Sequence, residues 1–271
     1  MRALGLIRRP DTVRARFAVE RPYRAIPGAT TTSTMLQPVA WLRDQLGKPS
    51  CVGQAVMGRR DALVGSPPWG SAVDLWTDAR RRHGALSDPA SGTYTEAAFD
   101  SLIHRGTSRY KDGEDARPVE QDTQLDDLSG ELEAGDTKIP ESWEHYQIKV
   151  GFVAANSIDA LKRNLLVVFG TGVRDPFFSL GADEVVTTKH LGGGANGHEQ
   201  GIVGYHAPRG LFIGQGSWGI GFAGITLPSD IDDEEIAALF PCAQGRFLPG
   251  CFWLEAEVLE QAWDVDVLRV K

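Results

Sequence analysis

The chain has 271 residues, of which 42% are hydrophobic and 24% charged, and it carries a net charge of -8 at pH 7. This composition is typical of a globular protein that can bury a sizeable core, and the negative charge argues against nucleic acid as a partner. No window approaches about 18 consecutive apolar residues, so we expect no transmembrane helix and no membrane partner.

Residues 1–37 are predicted to form an N-terminal arm. They contain many arginines and prolines and a threonine-rich stretch at 29–34, without sustained periodicity, which favours extended or loop structure. The apolar run near the N-terminus is too short for a signal peptide. The three cysteines fit neither a disulfide framework nor a zinc site. We therefore expect a cytoplasmic protein in a reducing compartment.

The stretch from residue 44 to residue 60 organises the helical part of the chain. Polar and turn-forming residues lead into Cys51, and apolar residues then recur with helical spacing at Val52, Ala55, Val56 and Leu63. A thiol in the first turn of a helix becomes a nucleophilic thiolate more readily. Gln45 lies six residues upstream and brings a side-chain donor near the sulfur. The alternative is a buried structural cysteine.

Two more helices and an acidic segment follow. The apolar spacing predicts one helix that ends near Gly84 and another, within residues 92–106, that ends near Gly106. Between residues 112 and 136 we count ten acidic residues and one basic residue. We interpret this segment as a solvated loop, and calcium binding is a weaker alternative because the carboxylates lack the EF-hand spacing.

The sequence after Pro140 is rich in predicted strands. Strands are predicted at 146–152 and 165–173, on both sides of a turn at 208–210, and in 251–270. A short helix is predicted at 157–163, and residues 225–250 look like a polar insertion. Helices first and strands second predict an α+β fold with two lobes.

Other motifs do not indicate a cofactor or a metal. Three glycines match the dinucleotide fingerprint G-x-G-x-x-G, namely Gly192, Gly194 and Gly197. A strand-like run follows them where a helix is required. His198 and Glu199 lack the second histidine of a zinc peptidase. Cys242 and Cys251 have no histidine nearby, and we expect core packing or a disulfide.

His198 follows a glycine-rich turn and opens a predicted strand. A lone histidine is usually structural, but this one lies 147 residues downstream of Cys51. A cysteine at a helix start with a distant histidine is the layout expected of a thiol nucleophile and its base.

The chain resembles the papain-like cysteine peptidases, in which the histidine follows the cysteine by about 130–150 residues. Three motifs carry the resemblance: Q-x-x-x-x-x-C at 45–51, H-x-x-x-x-V-G-Y at 198–205, and a form of N-S-W-G at 216–219. Residues 92–106 resemble the substrate edge of the cleft and the helix after it. Together these cover roughly residues 38–271.

The resemblance implies a papain-like two-lobed α+β fold for residues 38–271. A helical lobe of about 41–140 would carry the nucleophile helix, and a β-barrel-like lobe of about 141–271 would carry the base. The implied activity is hydrolysis of a peptide or protein substrate through an acyl-enzyme. The resemblance implies that Cys51 is the nucleophile, His198 the base and Gln45 an oxyanion donor. The residues implied to contact the substrate are Gly92, Thr93 and Trp218.

The chain departs from the family at the residue that orients the histidine, because Gly216 replaces the asparagine. Gln215 could substitute only if a bulge turned it inward, since side chains alternate along a strand. With about 50 residues before Cys51, we recognise no inhibitory propeptide. We expect a bacterial or phage source, and association with a virus particle is an alternative to the cytoplasm. A weakly active scaffold for binding or assembly and an acyltransferase remain alternative functions.

Overall fold

The computed structural model describes residues 4–8, 21–23, 32–40, 42–45, 47–65, 70–85, 91–107, 119–121, 143–148, 152–192, 194 and 196–270. Predictions for other positions, including most of the arm and of the acidic 112–136 segment, lie outside the described residues. No helix among the described residues is long and apolar enough to cross a membrane.

Six α-helices lie in the described part of the chain. They are α1 Cys51–Val64, α2 Ala72–Arg82, α3 Thr95–His104, α4 Val153–Lys162, α5 Asp233–Leu239 and α6 Ala256–Glu260. The first three confirm the helices predicted before the acidic segment.

Fourteen strands are present in the same ranges. In chain order they are β1 Leu6–Ile7, β2 Arg21–Pro22, β3 Met35–Leu36, β4 Leu42–Asp44, β5 Val119–Gln121, β6 Trp143–Gln147, β7 Leu166–Thr171, β8 Val185–Val186, β9 Asn196–His206, β10 Leu211–Gln215, β11 Gly224–Thr226, β12 Phe247–Pro249, β13 Cys251–Leu254 and β14 Asp264–Val270.

One large mixed sheet forms the β lobe, in the order β2-β6-β14-β7-β9-β10-β13-β8. This order does not close into a barrel among the described strands. The short strands β1 and β3 both pair with β9. Strand β9 therefore has more pairing partners than its neighbours, and it carries His198 at its start.

Helix α1 lies in the middle of the helical lobe. It packs against α2 and α3 on one side and against β7 and β9 on the other, so twelve consecutive residues from Cys51 to Ala62 are buried. Asp61 accepts hydrogen bonds from Arg43 and from Arg60. The buried Arg59 donates instead to the side chain of Gln37 and to the carbonyl of Pro38. The helix ends at Gly65, whose φ of 69° suits glycine.

The 225–250 segment is not a polar insertion, as the sequence suggested, but a packed part of the β lobe. It contains α5 and the β11–β12 pair. Ile231, Ile236 and Phe240 are buried in one hydrophobic cluster with Trp253. The apolar residues are widely spaced among charged ones, which hides this burial from a sequence reading.

Two predicted boundaries are wrong for reasons of tertiary structure. The strand predicted at 146–152 is β6, which ends at Gln147, and the helix predicted at 157–163 begins at Val153. Glu260, far along the chain, accepts a hydrogen bond from the backbone N–H of Ala154 at 3.0 Å, which satisfies one N–H of the first turn of α4. Inside the acidic segment, β5 pairs with β4, although a loop was predicted there.

Candidate active site

Cys51 is the first residue of α1 and is completely buried. The backbone N–H of Glu199 donates to its Sγ at 3.5 Å, so the thiol lies directly against the start of β9. Burial raises the pKa of Cys51 to about 12, and the nearby Glu199 raises it further. Backbone N–H groups of Glu199, Gly5 and Val52 act in the opposite direction. The expected lowering of this pKa is wrong for the conformation described here.

The thiol is buried because residues 4–8, which we call the N-terminal segment, lie across it. The carbonyl of Gly5 accepts a hydrogen bond from the N–H of Thr93 at 2.7 Å, and the N–H of Ile7 donates to the carbonyl of Thr93 at 3.0 Å. On its other side, Leu6 pairs with Gly197 of β9. The segment therefore bridges the two lobes beside Cys51.

Two glycines make this close approach feasible. A Cβ atom on Gly5 would overlap the carbonyl oxygen of Pro49, and a Cβ atom on Gly92 would overlap the carbonyl oxygen of Gly5. Gly92 and Thr93, which the resemblance assigned to the substrate edge, thus contact the chain's own N-terminal segment. The sequence reasoning missed Gly5 and Leu6, because a two-residue strand has no detectable periodicity.

His198 is fully buried near the start of β9 and packs against aromatic rings. Its ring stacks on Trp218 with 4.0 Å between the centroids and 13° between the planes. Phe177 lies 6.1 Å from it on centroids. Trp218 therefore covers the histidine. The residue after His198, Glu199, donates its backbone N–H to the Sγ of Cys51, so the start of β9 lies beside the thiol.

Gly216 is packed against a ring in place of the family's asparagine side chain. A Cβ atom on Gly216 would lie 2.8 Å from Cε1 and 2.9 Å from Cδ1 of Phe222. Phe222 in turn packs edge-on against Trp218, with 4.8 Å between their centroids. An aromatic cluster therefore occupies the side of His198 on which the resemblance expects an amide.

Gln215 is the last residue of β10 and lines a small cavity with Gln54, Glu199 and Ser217, among other residues. The pairing of β9 with β10 shifts register between Ile213 and Gly214, and the extra residue lies in β9. A bulge is therefore present, but in the strand opposite the one we expected.

Gln45 is buried and is fixed by hydrogen bonds of its backbone and its side chain. Its backbone N–H donates to the carbonyl of Ser217 at 2.8 Å, and its Oε1 accepts from the Ser217 hydroxyl at 2.6 Å. Its Nε2 donates to the carbonyl of Lys48 at 2.8 Å. The motif at residues 45–51 thus places a rigid amide in the loop before Cys51.

Glu199, which the sequence reasoning passed over, is fully buried beside the thiol. Its Oε2 accepts a hydrogen bond from the Thr95 hydroxyl at 3.0 Å, and its Oε1 has no hydrogen-bond partner among the described residues. Burial raises the pKa of Glu199 well above its usual range, and the carboxyl groups of Asp264 and Asp266 raise it further.

Three more buried carboxyl groups lie close by, from Glu96 on α3 and from Asp264 and Asp266 on β14. Their oxygen atoms lie within 4.8 Å of one another, and Nε2 of His145 lies 2.6 Å from Oδ1 of Asp266. Hard cations bind such oxygens, but a carboxylate cluster does not by itself indicate an ion. Asp264 and Asp266 are two positions apart in β14, so both side chains share one face of the strand. This spacing was the available sequence signal for the carboxylate cluster.

Cys242 and Cys251 are free, buried thiols, so the predicted alternative of a disulfide between them is not formed. Burial raises the pKa of Cys242 to about 11 and also raises that of Cys251. Both pack in the cluster that contains Trp253, which is the core role expected of them.

No protein-family model and no curated protein sequence matches this chain. Solved structures do. Xylellain, a cysteine protease from Xylella fastidiosa, superposes with a TM-score of 0.66 at 17% identity, over 100% of this chain and 97% of that one.

Two further solved structures are similar. A digestive procathepsin L2 proteinase from the Tenebrio molitor larval midgut gives a TM-score of 0.65 at 15% identity, over 99% of this chain and 78% of that chain. A structure concerning the mite allergens Blo t 1 and Der p 1 gives a TM-score of 0.63 at 14% identity, over 98% of this chain and 80% of that chain. At these identities the likeness shows the fold, and it confirms the α+β fold predicted from the sequence.

Proposed function

We propose that this chain, which has the papain-like cysteine peptidase fold, hydrolyses peptide bonds through an acyl-enzyme on Cys51. The observation that carries the proposal is the juxtaposition of the thiol at the start of α1 with the start of β9, where His198 lies. The similarity of the fold to cysteine proteases supports it.

The reaction runs in two steps. The sulfur of Cys51 attacks the carbonyl carbon of the peptide, and its proton passes to His198; the C–N bond breaks as His198 gives this proton to the leaving amine. Water, deprotonated by His198, then attacks the thioester. The acid product leaves, and the proton returns to the sulfur.

The oxyanion of each tetrahedral intermediate is stabilised by two donors, the backbone N–H of Cys51 and the side-chain amide of Gln45. The hydrogen bonds of its Oε1 to Ser217 and of its Nε2 to Lys48 hold the Gln45 amide in place before substrate arrives. Such preorganised donors lower the barrier because they need not reorient as the charge develops.

His198 is oriented by ring packing in this proposal. The face of Trp218 and the ring of Phe177 restrict rotation of the imidazole. This restriction replaces part of what an asparagine amide would provide at position 216, where no side chain is present. A thiol nucleophile tolerates the change better than a hydroxyl, because thiolate needs no base at the moment of attack.

Catalysis requires the N-terminal segment to leave. Cys51 is fully buried beneath it, and the backbone N–H of Gly5 is among the groups that hydrogen-bond to the thiol. A peptide therefore reaches the sulfur only when residues 4–8 separate from Thr93 and β9.

The test uses the full chain, a Leu6→Asp variant and a Cys51→Ala control on a mixture of unstructured peptides analysed by mass spectrometry. In the Leu6→Asp variant, the new carboxylate lies against the carboxyl groups of Glu199 and Asp264. Their repulsion weakens the packing of the N-terminal segment against the two lobes. We expect cleavage by the wild type, faster cleavage by Leu6→Asp, and none by Cys51→Ala. Absence of cleavage by both the wild type and Leu6→Asp would contradict the proposal.

A catalytically weak scaffold is the second candidate. The raised pKa of the Cys51 thiol and the missing side chain at Gly216 favour it. Iodoacetamide labelling separates the two: alkylation of Cys51 in Leu6→Asp without peptide turnover would favour the scaffold.

A further inference from the structure

The side chain of Leu6 fills a pocket that adjoins the nucleophile. Leu6 is fully buried, and the missing side chain of Gly170 makes room for it. A Cβ atom on Gly170 would overlap Cδ2 of Leu6, Oδ1 of Asp264 and Oε2 of Glu199. One apolar group and two carboxyl groups from separate strands therefore share one small space, which we call the acidic pocket.

The acidic pocket lies next to the reacting atom. Glu199 contributes its side chain to the pocket and its backbone N–H to the Sγ of Cys51. The residues on both sides of Leu6, which are Gly5 and Ile7, are hydrogen-bonded to the backbone of Thr93. A peptide bound along the same edge would place one of its own side chains where Leu6 now lies, close to the bond that is cleaved.

Four buried carboxyl groups gather at the pocket. Behind Glu199 and Asp264 lie Asp266 and Glu96, all four fully or almost fully buried. Leu6 supplies neither a charge nor a hydrogen-bond donor to these oxygens, and Oε1 of Glu199 has no partner among the described residues. Buried carboxylates are stabilised strongly by a cationic donor within hydrogen-bonding distance.

We propose that the acidic pocket recognises a lysine or arginine side chain of the peptide substrate, with Glu199 and Asp264 as the residues that determine this specificity. The inference rests on the proposed function. A cationic side chain supplies N–H donors to both carboxyl groups. The leucine of the N-terminal segment fills the same space without these bonds.

The first experiment measures specificity in the full chain and in Leu6→Asp. Quenched fluorescent peptides carry Arg, Leu or Glu at each of the three positions before the cleaved bond. At one of these positions we expect kcat/KM for Arg to exceed that for Leu by about 10- to 100-fold, the range for hydrogen bonds to charged groups. The peptide with Glu there should be the poorest substrate.

The residues are assigned by substitution. Glu199→Gln and Asp264→Asn should each lower the ratio of kcat/KM for Arg over Leu, and the double variant should remove most of it. Glu257→Gln, the same change at an exposed position on α6, is the control and should keep the ratio. Equal rates for Arg and Leu in the wild type, or a preference that survives in the double variant, would overturn the inference.

A second measurement does not depend on turnover. Leu6→Lys places a cation in the acidic pocket, and Leu6→Met is a neutral control of similar size. With EDTA present, so that no divalent ion occupies the carboxylates, Leu6→Lys should slow iodoacetamide labelling of Cys51 several-fold relative to Leu6→Met. Equal or faster labelling in Leu6→Lys would overturn the cationic specificity. If no peptide is cleaved, the proposed function fails, and this comparison alone decides what the pocket binds.

Discussion

The proposed catalytic residues differ in how firmly the structure fixes them. Gln45 is held by hydrogen bonds from both its backbone and its side chain, whereas His198 is held mainly by the rings around it. This difference has consequences for substitutions at each position.

At Gln45, truncation should affect the chemical step. We expect Gln45→Ala to lower kcat by about 10²- to 10³-fold, the usual loss for one oxyanion donor, with a smaller effect on KM. The measurement is steady-state kinetics on a peptide that the wild type cleaves. Gln261→Ala, at an exposed position, is the control. An unchanged kcat in Gln45→Ala would exclude the oxyanion role.

At Gly216, the family's asparagine does not fit. From the sequence alone, Gly216→Asn is expected to restore an orienting amide, but the new side chain would press on the ring of Phe222. We now expect Gly216→Asn to lower the free energy of unfolding by about 1–3 kcal/mol, the usual cost of overpacking. The measurement is urea unfolding.

The double variant Gly216→Asn with Phe222→Ala provides the matched test. The Phe222→Ala change removes the ring with which the new asparagine side chain would overlap. The double variant should therefore lose less free energy of unfolding than the sum of the losses in the two single variants. Full stability and faster turnover in Gly216→Asn alone would show instead that Phe222 gives way readily.

At the scale of elements, we expect β1 to control the reactivity of the Cys51 thiol. With β1 in place, the pKa of Cys51 is raised to about 12, so the protonated thiol predominates at pH 7 and the thiolate fraction increases only as the pH approaches that value. We expect slow iodoacetamide labelling of Cys51 in the wild type at pH 7. Leu6→Asp should accelerate it by about tenfold or more, because displacing β1 removes the main cause of the raised pKa.

The labelling is read by peptide mapping, with Cys242 and Cys251 as internal references. These two thiols lie in the cluster around Trp253, apart from β1, so their labelling rates should not change. A wild type in which Cys51 reacts first and fast would show that the segment leaves the cleft readily.

The elements also show what the sequence can and cannot predict. Helix α1 and the order of the three motifs follow from local spacing, and both the fold and the meeting of Cys51 with the start of β9 agree with them. The contact of β1 with Thr93 and Gly197 joins residues about 90 and 190 positions apart, and a pair of residues has too little pattern to predict it. The pocket around Leu6 is likewise assembled from distant strands.

At the scale of the whole molecule, the buried carboxyl groups couple folding to pH. Glu199 faces Asp264 and Asp266 on β14, Thr95 on α3, and Cys51 on α1. Its pKa in the folded state is raised, so the folded chain binds more protons than the unfolded chain. The free energy of unfolding should therefore decrease as the pH rises above about 4.3, the ordinary value for glutamate.

Urea unfolding at pH 5 and at pH 8 tests this coupling. We expect a lower midpoint at pH 8 in the wild type and a smaller difference between the two values in Glu199→Gln, which cannot ionise. Glu257→Gln should behave like the wild type. An equal pH dependence in Glu199→Gln and the wild type would assign the effect to other groups.

The N-terminal segment is covalently tethered to the lobes that it bridges. A tether gives the segment a high effective concentration at Cys51, of the millimolar order for short flexible linkers, so even weak contacts keep it seated. A single cut in the chain between Arg8 and Arg21, before β2 joins the sheet, would turn this intramolecular contact into a bimolecular one. Dilution would then release the segment, and the thiol would stay exposed at low protein concentration without any change in the lobes themselves.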